Sequence, residues 1–412
     1  MLRDLLGQAY EAMAYNRRRT LITIVGMAWG IATVVLLMAY GAGFGRAIEV
    51  IFAQFGTNLM GVFPGTTSEQ AGGTKAGVKI RFQKDDLDLL RNGVPGILRI
   101  SPDVSKTVPV QNDLHAYNWQ VTGAYSEMAD IQKLAIDYGR FYTEEDNEQR
   151  NHVVVIGSEA KTMLFSGAYP IGQRIRLNGV GFTVVGVLQA KMQEGDNNIN
   201  RAIYIPFSTM NDLKDTKYLD GIWFNYEGNY LTTENALRDT LAAAHDFPPT
   251  DHNAIFVANL LQQLSQFRII TEGLQVLLTF IGTLTLGIAG VGLMNIMLVA
   301  VQQRTREIGI EKALGARRGH ILVQFLSEAL VITGVGGVCG IGLAYLVSVA
   351  VGRITFYSAV ASNAQAADIQ LLISPMTVMV ATVILAAVGL ISGMVPAIKA
   401  ANLSPIDALR CE

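Results

Sequence analysis

Charged residues are absent from four long and mostly apolar stretches of the chain. These stretches are residues 20–45, 273–303, 329–352 and 369–398. A helix rises about 1.5 Å per residue, so roughly 20 apolar residues cross a hydrocarbon core of about 30 Å. Each stretch reaches that length, which a buried helix of a soluble protein rarely needs. The pattern predicts transmembrane helices at residues 20–45, 273–301, 321–352 and 373–398.

The first apolar stretch follows a basic run, Arg17 to Arg19, as the apolar part of a secretory signal peptide would. However, the stretch is longer than the about 7–15 apolar residues of a signal peptide. No convincing cleavage site with small residues follows it. We therefore expect a retained helix, preceded by a short cytoplasmic segment at residues 1–19.

Lysine and arginine are distributed unequally around the predicted helices. They cluster before the first helix, in the 302–320 loop, and in the tail at residues 399–412, whereas the 353–372 segment has only Arg353. Cytoplasmic loops carry the excess of basic residues in membrane proteins. This rule places the 302–320 loop and both ends of the chain in the cytoplasm. The 46–268 segment and the 353–372 loop are then outside it.

The exterior segment has the alternating pattern of a mixed α/β domain. A buried strand is predicted at Val153–Gly157, followed by a helix from Ser158 to Phe165 with the serine near its N-cap. Residues 174–188 alternate on both sides of Asn178-Gly179, which predicts a β-hairpin. Further predicted elements are strands at 202–206 and 223–226, helices at 85–92 and 234–245, and a loop or disordered segment at 65–77.

Residues 253–272 have helical character and run into the second predicted span. Leu260, Leu261, Leu264 and Phe267 recur at helical spacing and form an apolar stripe. The stripe is explained equally well by a helix that covers the domain's own core and by a rigid stalk between domain and membrane.

Composition agrees with this architecture and excludes several classes of function. Of 412 residues, 50% are hydrophobic and 16% are charged, against about 25% charged residues in soluble domains. A net charge of -2 lacks the basic excess of a nucleic-acid-binding protein. The two cysteines, Cys339 and Cys411, make a disulfide framework improbable. The predicted fold is an α-helical membrane protein with four transmembrane helices and a mixed α/β extracytoplasmic domain inserted between helices 1 and 2.

The sequence contains no recognisable catalytic or metal-binding motif. A phosphate-binding P-loop is absent, and Gly72-Gly73-Thr74-Lys75 only superficially resembles one. The histidines lack the spacing of metal ligands, and Ser158 lacks the second glycine of a nucleophile elbow. We predict no catalytic residue, metal site or cofactor on this chain.

Polar residues are rare within the predicted spans, although small residues are frequent. Asn295 is expected to face protein rather than lipid, because an exposed amide is unfavourable in hydrocarbon. No acidic or basic relay is visible deep in a span, so energy for transport is expected from another polypeptide. Two pairs of glycines, Gly26 with Gly30 and Gly336 with Gly340, have the spacing of close helix–helix contacts.

A charged segment follows the second span. The membrane helix is predicted to end near Val301, and Gly315 is placed to end a short helix before the next one starts near Ala316. Arg304 and Glu307 are spaced to form an ion pair. Ile310, Ala313 and Leu314 form an apolar seam. Docking into a groove on a partner explains this seam, whereas a solvated connector between two spans would explain only the arginines. The predicted coupling residues are Arg304, Arg306, Glu307, Ile308, Gly309, Ile310, Leu314 and Gly315.

The 295–318 segment closely resembles the signature of MacB-type, FtsX-like permeases of the ATP-binding-cassette superfamily. Residues 12–31 resemble the first helix of the same family, and residues 396–410 resemble its C-terminal tail. Its periplasmic core is resembled by residues 153–157, 170–179 and 182–187. The resemblance implies a bacterial inner-membrane protein that pairs with a second permease copy, identical or related. It also implies a cassette ATPase that holds ATP and Mg²⁺, with residues 302–318 as coupling segment and 253–272 as lever. In MacB the ATPase precedes the first helix, so this chain is expected to use a separate ATPase subunit.

Three functions remain open at this point. An exporter subunit would act on a lipophilic molecule, peptide or lipoprotein, with or without a periplasmic adaptor. An FtsX-like regulator would control an extracytoplasmic enzyme, and its exterior domain is expected to be smaller than this one. A receptor or scaffold without an ATPase would leave the apolar seam unexplained.

Overall fold

The computed structural model describes residues 17–56, 58–69, 76–192, 199–355, 358 and 367–410. The predictions for residues 1–16 and 411–412, and for parts of the 65–77 and 353–372 loops, lie outside the described residues. The chain divides into two compact units. One contains the described residues of 1–46, 269–354 and 369–412, and the other those of 47–268 and 355–368.

The described residues form four long helices, which lie wholly or mostly in the first unit, and shorter helices in both units. The helices are α1 (Arg17–Ala53), α2 (Asp85–Gly93), α3 (Met128–Ile131), α4 (Glu144–Glu148), α5 (Ser158–Phe165), α6 (Phe207–Met210), α7 (Tyr230–His245), α8 (Leu260–Gln303), α9 (Thr305–Ala313), α10 (Arg318–Val351), α11 (Pro375–Ala401) and α12 (Pro405–Arg410). Four of them, α1, α8, α10 and α11, are long and apolar enough to cross a membrane. The predicted fold class is confirmed.

Small residues bring the membrane helices close together. Gly393 of α11 lies against Ala329 of α10, and a Cβ on Gly337 of α10 would lie 2.5 Å from the side chain of Leu385. Buried side chains from all four long helices form one cluster, with Met27, Leu286, Ala344 and Leu385 among its members. Packing of this kind holds helices together in lipid, where water exclusion contributes little.

The second unit is built on a large, mostly antiparallel sheet. Its strands are β1 (Leu59–Pro64), β2 (Ile97–Gln111), β3 (Ala116–Ala124), β4 (Ile136–Gly139), β5 (Val153–Ile156), β6 (Arg174–Leu177), β7 (Val180–Leu188), β8 (Ile203–Pro206), β9 (Gly221–Tyr226) and β10 (Ile255–Asn259). The order is β10-β1-β9-β2-β3-β8-β5-β7-β4, and β6 pairs with both β2 and β7. Among the strand pairs of the described residues, β3–β8 and β5–β7 are parallel and the others are antiparallel. A two-stranded ribbon of β11 (Arg353–Ile354) and β12 (Ile369–Gln370) joins the last two spans.

The two faces of this sheet differ in chemistry. Alternate residues of β2, such as Val104, Val108 and Val110, are buried in the main apolar core. The intervening Ser105 and Thr107 point to the opposite face, because side chains alternate along a strand. The main core therefore fills one face, and the other carries these polar side chains together with a smaller apolar cluster.

The predicted hairpin is confirmed, and its turn has the expected geometry. Arg174 pairs with Thr183 and Leu177 with Val180. Asn178 and Gly179 have φ values of 51° and 88°, which a two-residue hairpin turn of this type requires. The helix at Ser158–Phe165 is also present, but its N-cap is Gly157 and no side chain caps it.

The prediction that helix begins at Asn253 is wrong. Residues 255–259 form β10, which pairs with β1 from Pro64 to Met60, and the helix begins at Leu260. Pairing with a distant strand decided the structure here, and no local pattern contains that information. Past this point Leu261 packs against the domain core, while the Phe267 ring lies 5.4 Å from that of Phe52.

Candidate functional site

The cytoplasmic segment between the second and third spans contains a short, well-defined helix. Helix α9 follows α8 after a single break at Arg304, whose φ is -98°. Gly315 has a φ of 103°, a conformation that glycine adopts without strain. The chain then reverses, and α10 starts at Arg318. The sequence-predicted boundaries at Val301, Gly315 and Ala316 thus lie within a few residues of the observed ones.

Contacts with the C-terminal segment fix this helix in place. The Lys312 ammonium donates to the carbonyl oxygens of Ala401 and Leu403 at 2.7 and 2.6 Å. These carbonyls lie at the C-terminal end of α11, where a helix dipole favours a cation. A Cβ on Gly309 would lie 2.7 Å from that of Ala408 in α12. Ile308 beside it is 2% exposed, so one face of α9 is buried.

The predicted pairing of Arg304 with Glu307 is wrong. Arg304 instead pairs with Glu328 of α10 at 3.3 Å. Glu328 is buried, and a buried carboxylate without a partner is far costlier than an exposed one. Glu307 lies on the exposed side of α9, where water replaces any partner.

The opposite face of α9 exposes apolar side chains. Ile310 is 45% exposed and Leu314 is 84% exposed. Ala313 completes the exposed seam, and Arg306 and Glu307 lie exposed on the same short helix. The structure thus separates the eight predicted coupling residues into anchors, such as Ile308 and Gly309, and an outward-facing set. Sequence analysis missed the anchor Lys312, although a basic residue in the last turn of a helix is a signal for carbonyl contacts.

Three of the four predicted packing glycines lie at contacts between helices. A Cβ on Gly30 would lie 3.0 Å from Leu286 of α8, and one on Gly336 would lie 2.7 Å from Met27 of α1. Gly340 contacts Ala28 and Ile31 of α1. Gly26 has open space around it. Gly26 and Gly30 therefore do not act as one pair within this chain.

The prediction that Asn295 faces protein does not hold within a single chain. Its neighbours Leu293 and Met297 are buried, whereas Asn295 is exposed on the other side of α8. Residues two apart on a helix point in nearly opposite directions. Because Leu293 and Met297 pack against the other helices of the chain, the Asn295 amide points away from them.

Histidines take part in ordinary contacts of the extracytoplasmic domain. His245 lies 3.1 Å from Asp86, and His152 lies 2.9 Å from Asp212. Over the part of the chain that the structure describes, no three or more His, Cys, Asp or Glu residues are grouped as metal ligands.

Comparison with known proteins agrees with this architecture. Residues 20–240 match the family model of the MacB-like periplasmic core domain. Residues 279–405 match that of the FtsX-like permease C-terminal domain. Together the two matches include most of α1, strands β1 to β9 of the sheet, α9 and most of the remaining spans.

Curated relatives extend the match to nearly the whole chain. The macrolide export ATP-binding/permease protein MacB of Bdellovibrio bacteriovorus is 32% identical over 99% of this chain and 61% of its own length. The pyoverdine export ATP-binding/permease protein PvdT of Pseudomonas putida is 33% identical over 100% of this chain and 60% of its own length. The chain therefore spans about 60% of the length of these relatives.

Among solved structures, the periplasmic region of MacB from Actinobacillus actinomycetemcomitans matches 54% of this chain and 97% of that chain. The match has 22% identity and a TM-score of 0.43. The two family models, which together cover most of the chain, settle the assignment. The chain belongs to the MacB/FtsX family of multi-pass inner-membrane permeases, with a large extracytoplasmic domain between its first two spans.

Proposed function

We propose that this chain is the permease part of an ATP-binding-cassette exporter and that α9 receives the motion of a cytoplasmic ATPase. The observation that carries the proposal is the geometry of α9. Its inner face is fixed by Lys312, Gly309 and Ile308, so that the helix moves together with α11 and α12. Its outer face presents Ile310 and Leu314, which are apolar and exposed. Water-exposed leucine at such a point suits insertion into a groove on a partner.

The ATPase itself is proposed to be a cassette subunit that binds ATP and Mg²⁺. The 412 residues contain no P-loop, and no other part of the proposal requires nucleotide on this chain. A second permease copy, identical or related, would complete the membrane part, and a periplasmic adaptor is a further candidate partner.

The cargo is proposed to be a lipophilic molecule, a peptide or a lipoprotein taken from the outer side of the membrane. Two relatives named above carry export in their names, which favours an exporter over an FtsX-like regulator of an extracytoplasmic enzyme. The outward-facing seam of α9 also favours both over a scaffold without an ATPase.

Leu314→Asp tests the coupling role directly. Burial of a leucine side chain contributes about 1.5–3 kcal/mol, so losing it weakens the complex with the co-expressed cassette ATPase by roughly tenfold or more. Leu114→Asp is the matched control, since Leu114 is 82% exposed on the extracytoplasmic domain. The measurements are the dissociation constant of the purified complex and its ATP turnover in nanodiscs. Glu307→Lys reports whether charge on the same face contributes.

Two results would contradict the proposal. If Leu314→Asp and Leu114→Asp bind the ATPase equally and sustain equal ATP turnover, α9 is a solvated connector. If the purified chain alone hydrolyses ATP, with the activity mapped to its own residues, the motor does not lie on a partner.

A further inference from the structure

The extracytoplasmic domain has a cavity on the face of its sheet that lies opposite the main core. Its volume is about 630 Å³, and its walls come from β1, β2, β3, β8, β9 and the segment that follows α1. Sites for small molecules commonly have volumes of about 300–1,000 Å³. The cavity is therefore large enough for a small organic ligand.

Aromatic side chains and hydrogen-bonding groups share the walls. Phe55, Phe63, Trp223 and Tyr204 supply the aromatic part. The rings of Phe63 and Trp223 meet edge to face, with centroids 5.3 Å apart. The polar part is a row from β2 and β3: Ser105, Thr107, Asn118, Gln120 and Thr122.

The charged groups of the walls leave one carboxylate without a basic partner. Asp220 pairs with Lys214 at 2.6 Å, and Arg201 pairs with Glu159 at 2.7 Å. Asp103 has no ion pair within the described residues. Its carboxylate accepts a hydrogen bond from the Trp223 indole N–H at 3.0 Å.

Burial raises the pKa of Asp103 to about 6, and the neighbouring Asp220 adds to that rise. The Trp223 N–H and, more weakly, the Lys214 ammonium that pairs with Asp220 oppose it. At neutral pH the carboxylate is therefore mostly ionised, although its surroundings disfavour the charge. A cation in the cavity would relieve this cost, and an anion would increase it. Faces of tryptophan and phenylalanine rings also attract ammonium groups.

We propose that this cavity binds an organic ammonium ion with a compact apolar body. The ammonium lies beside the Asp103 carboxylate, and the apolar body packs on Trp223 and Phe63. The proposal goes beyond the exporter function, because binding at this site requires neither ATP nor an ATPase.

Hydrogen bonds join the cavity wall to the end of the first membrane helix. The Tyr204 hydroxyl donates to the Gln132 side chain at 3.1 Å. The buried Lys191 ammonium donates to the backbone carbonyls of Gln132 and Gln54 at 2.6 and 2.9 Å. Gln54 directly follows α1, and its neighbour Phe55 lines the cavity. A ligand in the cavity would therefore contact Phe55, in the segment that connects α1 to the sheet.

The test uses the full chain in nanodiscs of zwitterionic lipid, with Trp29→Phe as background. The protein has three tryptophans. With Trp29 removed, Trp223 reports on the cavity, and Trp119, which is buried in the main core, supplies a constant signal. We expect benzyltrimethylammonium to change the Trp223 fluorescence saturably. Asp103→Asn keeps an acceptor for the indole but removes the charge, and it should raise the dissociation constant at least tenfold. Asp113→Asn removes the same charge from an exposed turn and should leave the dissociation constant unchanged.

Neutral and anionic probes keep the proposal testable even if Asp103→Asn fails to fold. Benzyl alcohol and phenylacetate offer the same ring without the positive charge, and each should bind the unsubstituted cavity at least tenfold more weakly. Equal binding of the three probes would identify an apolar cleft with no preference for cations. Equal affinities of the Asp103→Asn and Asp113→Asn variants would overturn the role of Asp103. Absence of saturation below about 10 mM, which is weaker than ordinary ligand binding, would overturn the site.

Discussion

Asp103 makes the extracytoplasmic domain less stable as the pH rises, which is the opposite of what most acidic residues do. Its pKa is about 6 in the folded chain, above the ordinary value of 3.8. The folded state therefore binds the proton more tightly, so this group's contribution to stability is greatest below pH 4 and declines as pH rises through 6. A shift of two units corresponds to at most about 3 kcal/mol. Most acidic residues that form ion pairs act in the opposite direction.

We expect Asp103→Asn to raise the unfolding temperature at pH 7.5 by several degrees and to leave it unchanged near pH 4. The comparison with the unsubstituted chain cancels histidines and other groups that titrate in both proteins. Nearest to Asp103 are the Lys214–Asp220 ion pair and the hydroxyls of Tyr142 and Tyr204, whose pKa values are raised by burial. Thermal unfolding followed by circular dichroism measures the difference. A difference that is the same at both pH values would contradict it.

Residue contacts were the least predictable level of this protein. Local spacing correctly identified Asn178 and Gly179 as a turn, because a turn is decided by its own backbone conformation. The same kind of argument assigned Arg304 to Glu307 and missed Glu328, which lies 24 residues further on. Asp103 and Lys191 carried no sequence signal, because burial and partners from distant strands create their chemistry.

At the scale of elements, the glycines of α1 and α10 predict different responses to the same substitution. A leucine at Gly340 would overlap Ala28 and Ile31 of α1, whereas one at Gly26 meets open space. Overpacking of this kind costs about 1–3 kcal/mol, and more where backbone is contacted. We expect Gly340→Leu to lower the thermal stability of the detergent-solubilised chain and Gly26→Leu to leave it unchanged.

The measurement is the temperature at which each purified variant aggregates, with the extracytoplasmic domain checked separately by its circular dichroism. Equal losses for the two variants would show that Gly26 also lies at a contact. A loss confined to Gly26→Leu, together with a smaller dimer fraction, would place a second copy there.

Element types were predicted well where the pattern was strictly local. Long charge-free stretches predicted all four membrane helices, because the bilayer imposes a length that few other structures need. The long strands β2 and β3 were missed, since polar residues such as Ser105, Asn118 and Gln120 interrupt their apolar pattern. Those same polar side chains line the cavity, so the failure of the strand pattern coincides with the proposed binding site.

For the whole molecule, the sequence predicted the architecture but not which surfaces remain open to a second copy. The exposed side of α8 is a regular stripe: Leu277, Ile281, Leu284, Ile288 and Val291 are exposed at alternating spacings of four and three residues. This is the spacing of a coiled-coil seam. Exposed apolar residues are ordinary in a lipid-facing helix. Asn295, which continues the stripe, is not ordinary, because an amide facing hydrocarbon lacks hydrogen-bond partners.

We expect the exposed side of α8 to meet the same side of a second copy, with the two Asn295 amides hydrogen-bonded to each other. Asn295→Cys, in a chain with Cys339 and Cys411 replaced by serine, should form a disulfide-linked dimer on mild oxidation in membranes. Leu293→Cys is the control, because Leu293 is buried within the chain and should not cross-link. Asn295→Leu should reduce the dimer fraction modestly, since hydrogen bonds between membrane helices contribute only about 0.6–2 kcal/mol. Cross-linking from Gly26→Cys but from none of Leu284, Ile288 and Asn295 as cysteines, in a sample that is dimeric, would move the interface to α1.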